Sequence, residues 1–289
     1  MASRADFHSH STASDGVLPP AELVELAYKQ GVRVLALTDH DSSEGIAEAR
    51  RVADRYPDFT LIPGVEMGTD IPGAEVHVLG YYLHPEDATL QDKLKRLRLS
   101  RRGRGERIVE RLNEMGFNIT WEQVQRIAGD GAVGRPHVAQ ALLEKGHVAT
   151  VKEAFDKYIS RNGPAYVERE KMTPAEAVGT IVRLGGVPCL AHPRDVTDSD
   201  EKLEAILSEL KEAGLVGMEV YYKAYDPPTV ERLRAAAQRF DLIPLGGSDY
   251  HGIFGQEEPL PGGMHSPLPD ESIEALLRLG QARTAGRAG

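Results

Sequence analysis

The chain has 289 residues, 41% of them apolar, a net charge of −10 and one cysteine. That is enough apolar material to bury the core of one large α/β barrel, with room for a small inserted domain. A lone Cys189 excludes an intrachain disulfide scaffold, and the acidic balance argues against stable binding of duplex DNA, because phosphate attraction needs a positive surface.

No apolar run reaches membrane-spanning length, and Met1 to Asp6 lacks the apolar stretch of a signal peptide, so a cytoplasmic protein with no membrane partner is expected. The chain opens on Asp6-Phe7-His8-Ser9-His10 and then Ser14-Asp15-Gly16. Pro19 and Pro20 introduce a helix over Ala21 to Gln30, and Gly31 stops it. Val32 to Leu37 reads as a buried strand running into Thr38-Asp39-His40, and Asp41 with Glu44 fits a capping box for the next helix. Phe59 to Val65 predicts a strand ending at Glu66, and Val76 to Tyr82 another that carries His77.

The strand–helix alternation stops between about Pro85 and Tyr166. Leu90 to Asn113, Trp121 to Ile127, His137 to Glu144 and Val151 to Tyr158 read as helices with no strand between them. It resumes with a helix start at Thr173, Pro174 and Glu176, closed by Gly185 and Gly186. Three further strands follow: Val187 to Ala191, which places Cys189 in the core, Leu215 to Tyr221, and Leu242 to Leu245. Gln281 to Gly289 is small and polar and is expected to fray. Alternation of this kind predicts a parallel α/β fold, with residues 1–84 and 167–289 forming the barrel and 85–166 a helical insertion domain.

One helix of that insertion has an unusual charge. Lys93 to Arg111 holds nine basic residues and two acidic ones, in a chain that is acidic overall. On a helical wheel Arg101 falls on the apolar stripe of Leu94, Leu97, Ile108 and Leu112, with Arg104 at its edge. A cation on an inward face needs a partner, either a bound phosphate or a buried carboxylate.

Six of the ten histidines (His8, His10, His40, His77, His192 and His251) sit where strands end or turns begin, beside small or acidic neighbours. Residues i and i+2 of a strand share a face, so His8 with His10, and Asp249 with His251, can each aim two ligands one way. In a closed parallel barrel all strand ends meet at one rim. Each motif alone is weak. Together, six imidazoles and three carboxylates (Asp15, Glu66 and Asp249) on one rim would be hard to satisfy without cations.

The set His8-Ser9-His10, Thr38-Asp39-His40-Asp41, Gly64-Val65-Glu66, His77, Ala191-His192-Pro193 and Gly247-Ser248-Asp249-Tyr250-His251 resembles the polymerase and histidinol phosphatase (PHP) superfamily. Asp15 in its Ser-Asp-Gly turn, the helical insertion after His77 and Gly134-Arg135-Pro136-His137 are similar to one branch in particular. That branch holds nucleoside 3',5'-bisphosphate phosphatases and 5'-3' exoribonucleases acting on 5'-phosphorylated RNA. The resemblance implies a distorted (β/α)7 TIM-like barrel and three divalent metal ions, manganese first, with iron or zinc as alternatives. It implies one ion on His8, His10, Glu66 and Asp249, a second sharing Glu66 with His77 and His192, and a third on Asp15, His40 and His251.

The expected reaction is hydrolysis of a phosphate ester by in-line attack of a hydroxide shared between two ions, with His8, His10, Glu66, His192 and Asp249 at the catalytic ions. Three divalent ions against three carboxylates and one hydroxide leave a positive surplus suited to a phosphate monoester. Arg101, Arg104, Arg135, His137 and Arg194 are the candidates for binding substrate phosphate, since the guanidinium fork fits phosphate; His137 could instead cap the following helix. Ser248 reads as a turn residue, Asp39 as an acceptor supporting a ligand, and His84, His147 and His265 as surface or structural residues. Nucleotides and short RNA 5' ends are the expected partners. A small-metabolite phosphatase, as for histidinol phosphate, and a non-catalytic metal-stabilised scaffold are the competing readings.

Overall fold

The computed structural model describes residues 3–168, 172–255 and 258–285. Its elements are, in order, β1 (Ala5–Asp6), α1 (Pro20–Lys29), β2 (Val34–Leu37), α2 (Ile46–Ala53), β3 (Thr60–Ile71) and β4 (Ala74–Tyr81). Then come α3 (Ala88–Glu114), α4 (Trp121–Ala128), α5 (Arg135–Glu144), α6 (Val151–Ala154) with a π turn over Phe155–Ile159, α7 (Pro174–Arg183) and β5 (Val187–Leu190). The chain closes with α8 (Pro193–Val196), α9 (Asp200–Glu212), β6 (Gly217–Tyr222), α10 (Pro227–Arg239), β7 (Ile243–Gly247) and α11 (Asp270–Ala285). Within the segment expected to fray, 281–285 extend α11, and 286–289 lie outside the described residues.

The seven strands follow one another in sequence order around a nearly closed barrel. Backbone hydrogen bonds from Phe7 to Gly246 and from Asp249 to His8 join its first and last strands. Asp6 reinforces this seam: its buried carboxylate accepts from the backbone N–H groups of His8, Ser248 and Gly262 and from the Ser248 hydroxyl. Ser248 is thus the structural turn residue expected.

The sheet corrects one expectation. It is parallel from β1 to β3 and from β5 to β7, but β4 runs antiparallel to both β3 and β5. The Phe59–Val65 strand extends to Ile71 and folds back through a tight hairpin at Gly73, whose φ is +89°. This reversal matters for the site. At a rim made of strand C-termini, an antiparallel strand presents its N-terminal half, and that is where His77 lies.

Helix starts follow the local chemistry read from the sequence. Thr173 and Glu176 form a capping box at α7, and Pro20 sits at the first turn of α1. The proposed Asp41–Glu44 box does not exist. Helix α2 begins at Ile46 behind Gly45, with no side-chain cap, and Asp41 turns inward instead, at φ 50° and fully buried. Its carboxylate accepts from the Gly68 N–H at 3.1 Å and from Arg101 Nε at 2.5 Å. A buried guanidinium is a stronger claim on a carboxylate than an exposed helix end.

Helix α3 links two cores. Leu90, Leu94 and Leu97 join the barrel core, while Ile108, Val109 and Leu112 pack with Val124, Val138, Leu142 and Ile159 in a second cluster. Cys189 is a buried free thiol in the barrel core. No helix among the described residues is long and apolar enough to cross a membrane.

Candidate metal centre

The nine residues expected to gather at one rim do gather. Glu66, at the end of the parallel half of β3, is at the middle. Its Oε2 lies 3.1 Å from His8 Nε2, 3.1 Å from His10 Nε2 and 3.0 Å from His40 Nδ1; its Oε1 lies 2.7 Å from His77 Nδ1 and 3.2 Å from His192 Nε2. Asp249 Oδ1 faces the first two histidines, 3.3 Å from His8 Nε2 and 3.1 Å from His10 Nε2. Asp15 Oδ1 stands 3.4 Å from His251 Nε2 and 3.8 Å from His10 Nδ1, where the His10 and His251 rings stack at 4.0 Å.

Among the described residues, three groups of side chains could each hold an ion: His8, His10, Glu66 and Asp249; His40, Glu66 and His77; and His10, Asp15, His40 and His251. His192 lies outside these three groups but reaches Glu66 Oε1 beside His77. The test of fit is hydrogen bonding. Buried polar atoms in proteins are almost always paired, yet His8 Nε2, His10 Nε2, Asp15 Oδ1, His40 Nδ1, Glu66 Oε2, His77 Nδ1 and His192 Nδ1 are buried and make no hydrogen bond. All but His192 Nδ1, which faces Asp195 at 3.3 Å, belong to groups whose ligand atoms lie within 4.8 Å of one another, and mixed imidazole and carboxylate donors suit manganese, iron or zinc.

Electrostatics agree. Burial pushes the His10 imidazole down, but the carboxylates of Asp249 and Glu66, each 3.1 Å from Nε2, outweigh it and lift it to about 10. Against the same burial, Glu66 and the acidic neighbours Asp195 and Asp249 lift His192 to about 9. Conversely, the surrounding imidazoles overcome burial and hold Glu66 well below the usual carboxylate range, as they do Asp15. Asp249 is held low as well, with Lys223 the largest charge acting on it. Protons here stand in for a stronger positive charge.

The supporting residues explain why the backbone takes these paths. Asp39 accepts from the Ser11 N–H and the hydroxyls of Ser11 and Ser14, holding the loop that presents Asp15. His192 and Asp249 both sit at positive φ, 23° and 47°, conformations that persist only where neighbours enforce them. Tyr222 donates to Asp249 Oδ2 at 2.8 Å and Lys223 Nζ reaches the same oxygen at 3.3 Å. Glu219, fully buried on β6, lies 3.1 Å from His8 Nδ1 and accepts from the His192 N–H at 2.7 Å. The sequence reading missed Glu219, Tyr222 and Lys223. The available signal was one acid inside the otherwise apolar strand Gly217-Met218-Glu219-Val220-Tyr221-Tyr222.

A cavity of about 300 Å³ opens above these ligands, with Arg101, Arg104, Arg135 and Lys223 on its walls and Pro136, Phe155, Ile253 and Phe254 as its apolar part. Arg101 is paired with Asp41, and Arg104 and Arg135 share the two oxygens of Glu75 at 2.9 and 2.5 Å. Two other candidates stand apart. Arg194 is absent from the cavity lining and is tied to Asp200 and to the carbonyls of Thr197 and Asp198. His137 also stays out of the lining and accepts from the Gly134 N–H through Nδ1 at 2.9 Å, which is the capping alternative. His147 accepts from the Asn118 N–H and packs on Phe117, while His84 and His265 are exposed.

A model of the PHP domain matches residues 6–168. The 5'-3' exoribonuclease Rnm of Salmonella typhimurium is 35% identical over 247 residues, 85% of this chain and 84% of that protein. The 3',5'-nucleoside bisphosphate phosphatase of Chromobacterium violaceum is 32% identical over 257 residues, 85% and 86% of the two chains. Among solved structures, a metal-dependent phosphoesterase from Bifidobacterium adolescentis superposes with a TM-score of 0.83 at 31% identity, covering 96% of each chain.

Proposed function

The chain belongs to the PHP domain family of metal-dependent phosphoesterases, and from that premise we propose that it removes phosphate from nucleoside 3',5'-bisphosphates and acts on short RNA carrying a 5'-phosphate. That it is a hydrolase of phosphoester bonds agrees with every named relative above. The observation that carries the site reading is Glu66. It is one buried carboxylate whose two oxygens face five imidazole nitrogens, four of which (His8 Nε2, His10 Nε2, His40 Nδ1 and His77 Nδ1) make no hydrogen bond.

In this reading His8, His10, Glu66 and Asp249 hold one divalent ion, Glu66 with His77 and His192 a second, and Asp15, His40 and His251 a third, with manganese the active metal. Bound ions would lower the pKa of water toward about 7 and neutralise charge on the phosphate oxygens. The chain's own residues do the rest. Glu66 and Asp249 fix the geometry of the imidazoles. Arg101, Arg104, Arg135 and Lys223 give the cavity a cationic wall for the non-reacting phosphate, and residues 85–166 serve as the cap that brings three of them there. Phe155 and Phe254 offer flat apolar surface for a base. In this reading the reaction is cytoplasmic.

The test is a side-by-side assay after metal removal and manganese reconstitution, with adenosine 3',5'-bisphosphate, a 5'-phosphorylated RNA oligomer and histidinol phosphate. The reading expects kcat/KM for the first two to exceed that for histidinol phosphate by at least about tenfold, a difference of roughly 1.4 kcal/mol in transition-state binding. A preference for histidinol phosphate would reassign the enzyme to small metabolites, and full metal loading with no turnover would make it a scaffold.

A further inference from the structure

Glu219 belongs to no group of candidate ligands, yet it is completely buried on β6 in the barrel interior. Each of its oxygens has one partner. Oε1 lies 3.1 Å from His8 Nδ1, and Oε2 accepts from the His192 N–H at 2.7 Å. His8 belongs to the group on the Oε2 side of Glu66 and His192 to the Oε1 side. His192 also has a backbone φ of 23°, a value that needs an external restraint.

We propose that Glu219 is a positioning residue that sets the ring tautomer of His8 and the backbone of His192 together, and so couples the affinities of the two ions that share Glu66. The inference rests on the metal-centre reading above. An imidazole that offers Nε2 to a cation must carry its proton on Nδ1, and that proton needs an acceptor. Only a carboxylate accepts at both of its oxygens, which is what a ring N–H and a backbone N–H arriving from opposite sides require.

Glutamine at 219 has the same shape and one acceptor fewer. If its oxygen keeps the His192 N–H, its amide faces His8 Nδ1 as a donor. His8 is then pushed to the Nε2–H tautomer, whose Nε2 has no lone pair to give. If the amide turns over, the His192 N–H faces a donor and the strained turn loosens. Either way the two ions on Glu66 lose a ligand or its placement. The group of Asp15, His40 and His251 has no contact with Glu219 and keeps its ion.

The experiment titrates metal-free wild type and E219Q with manganese(II), reading the free ion by electron paramagnetic resonance, beside D15N as the variant of the third group. The expected result is that E219Q binds two ions about 10–100-fold more weakly and one as tightly as wild type, whereas D15N weakens one and spares two. Metal-free E219Q should melt close to metal-free wild type. Wild-type affinity at every site in E219Q would overturn the proposal, and so would uniform weakening at all sites or a much lower melting temperature without metal, which would make Glu219 part of the fold alone. A wild type that takes up no manganese would sink the metal-centre reading itself, an outcome distinct from unchanged binding by E219Q.

Discussion

Replacing Arg101 with methionine tests how much this arginine of the cavity wall braces the fold through Asp41. Its side chain is 6% exposed, and its Nε lies 2.5 Å from an Asp41 carboxylate that is wholly buried. Removing one member of a buried pair leaves the other charge without compensation, at a cost of about 3–5 kcal/mol. Asp41 keeps the Gly68 N–H at 3.1 Å, which places the expected loss near the lower end, about 3 kcal/mol. At this chain length roughly 2 °C of melting temperature accompanies each kcal/mol, so R101M should melt about 6 °C below wild type. The D41L/R101M double variant should recover most of that, because two apolar side chains can replace a buried ion pair with little loss. Calorimetry of metal-loaded protein measures both. A melting temperature within a degree of wild type would refute this account and show that Arg101 carries no structural burden.

Chelation of the bound ions should abolish phosphate release and lower the melting temperature; at a free manganese concentration about 100 times Kd, readdition should return about 2.7 kcal/mol per ion, read by calorimetry. In metal-free protein His10 and His192 are raised to about 10 and about 9 from an ordinary 6.5, so the stability they contribute is complete below pH 6.5 and disappears as pH climbs through 9 to 10. Asp15, Glu66 and Asp249 are held low, so theirs is present above the ordinary carboxylate range and lost in acid. Thermal melts in chelator should therefore peak in mildly acidic to neutral buffer and fall on both sides; a flat profile from pH 7 to 10 would contradict the histidine assignments. Manganese affinity should rise with pH over the same alkaline window, since those imidazole protons must leave, and calorimetric titrations in buffers of different ionisation enthalpy will show whether protons are released. K223M removes the ammonium beside Asp249 Oδ2 and should raise KM for the bisphosphate substrate by roughly 10-fold, about 1.4 kcal/mol; an unchanged KM would remove Lys223 from the cationic wall.

The elements themselves were legible because their signals are local. Short Val-, Leu- and Ile-rich runs bounded by glycine and proline mark the strands, and Thr173-Pro174-Ala175-Glu176 carries its own cap. The break in alternation after Leu83 marks the helices of the second core. Arg101 could be identified as needing a partner from the helical period alone, because its angle on the α3 wheel coincides with Leu94, Leu97 and Ile108. Which partner it takes was not readable, since Asp41 looks in isolation like an exposed cap.

The ligand inventory, meaning which imidazoles and carboxylates stand at strand ends, is written in local sequence, because strand period and turn residues act over two to four neighbours. How those ligands meet, and what holds them, follows from the assembled fold. The antiparallel run of β4 carries His77 to the rim, and Glu219 comes to His8 across 211 residues of chain. Packing of α3 and the start of α5 against the barrel also hands Asp41 to Arg101 and Glu75 to Arg104 and Arg135. Such pairings depend on long-range register and on where desolvated charges find compensation, and these are energies of the assembled molecule.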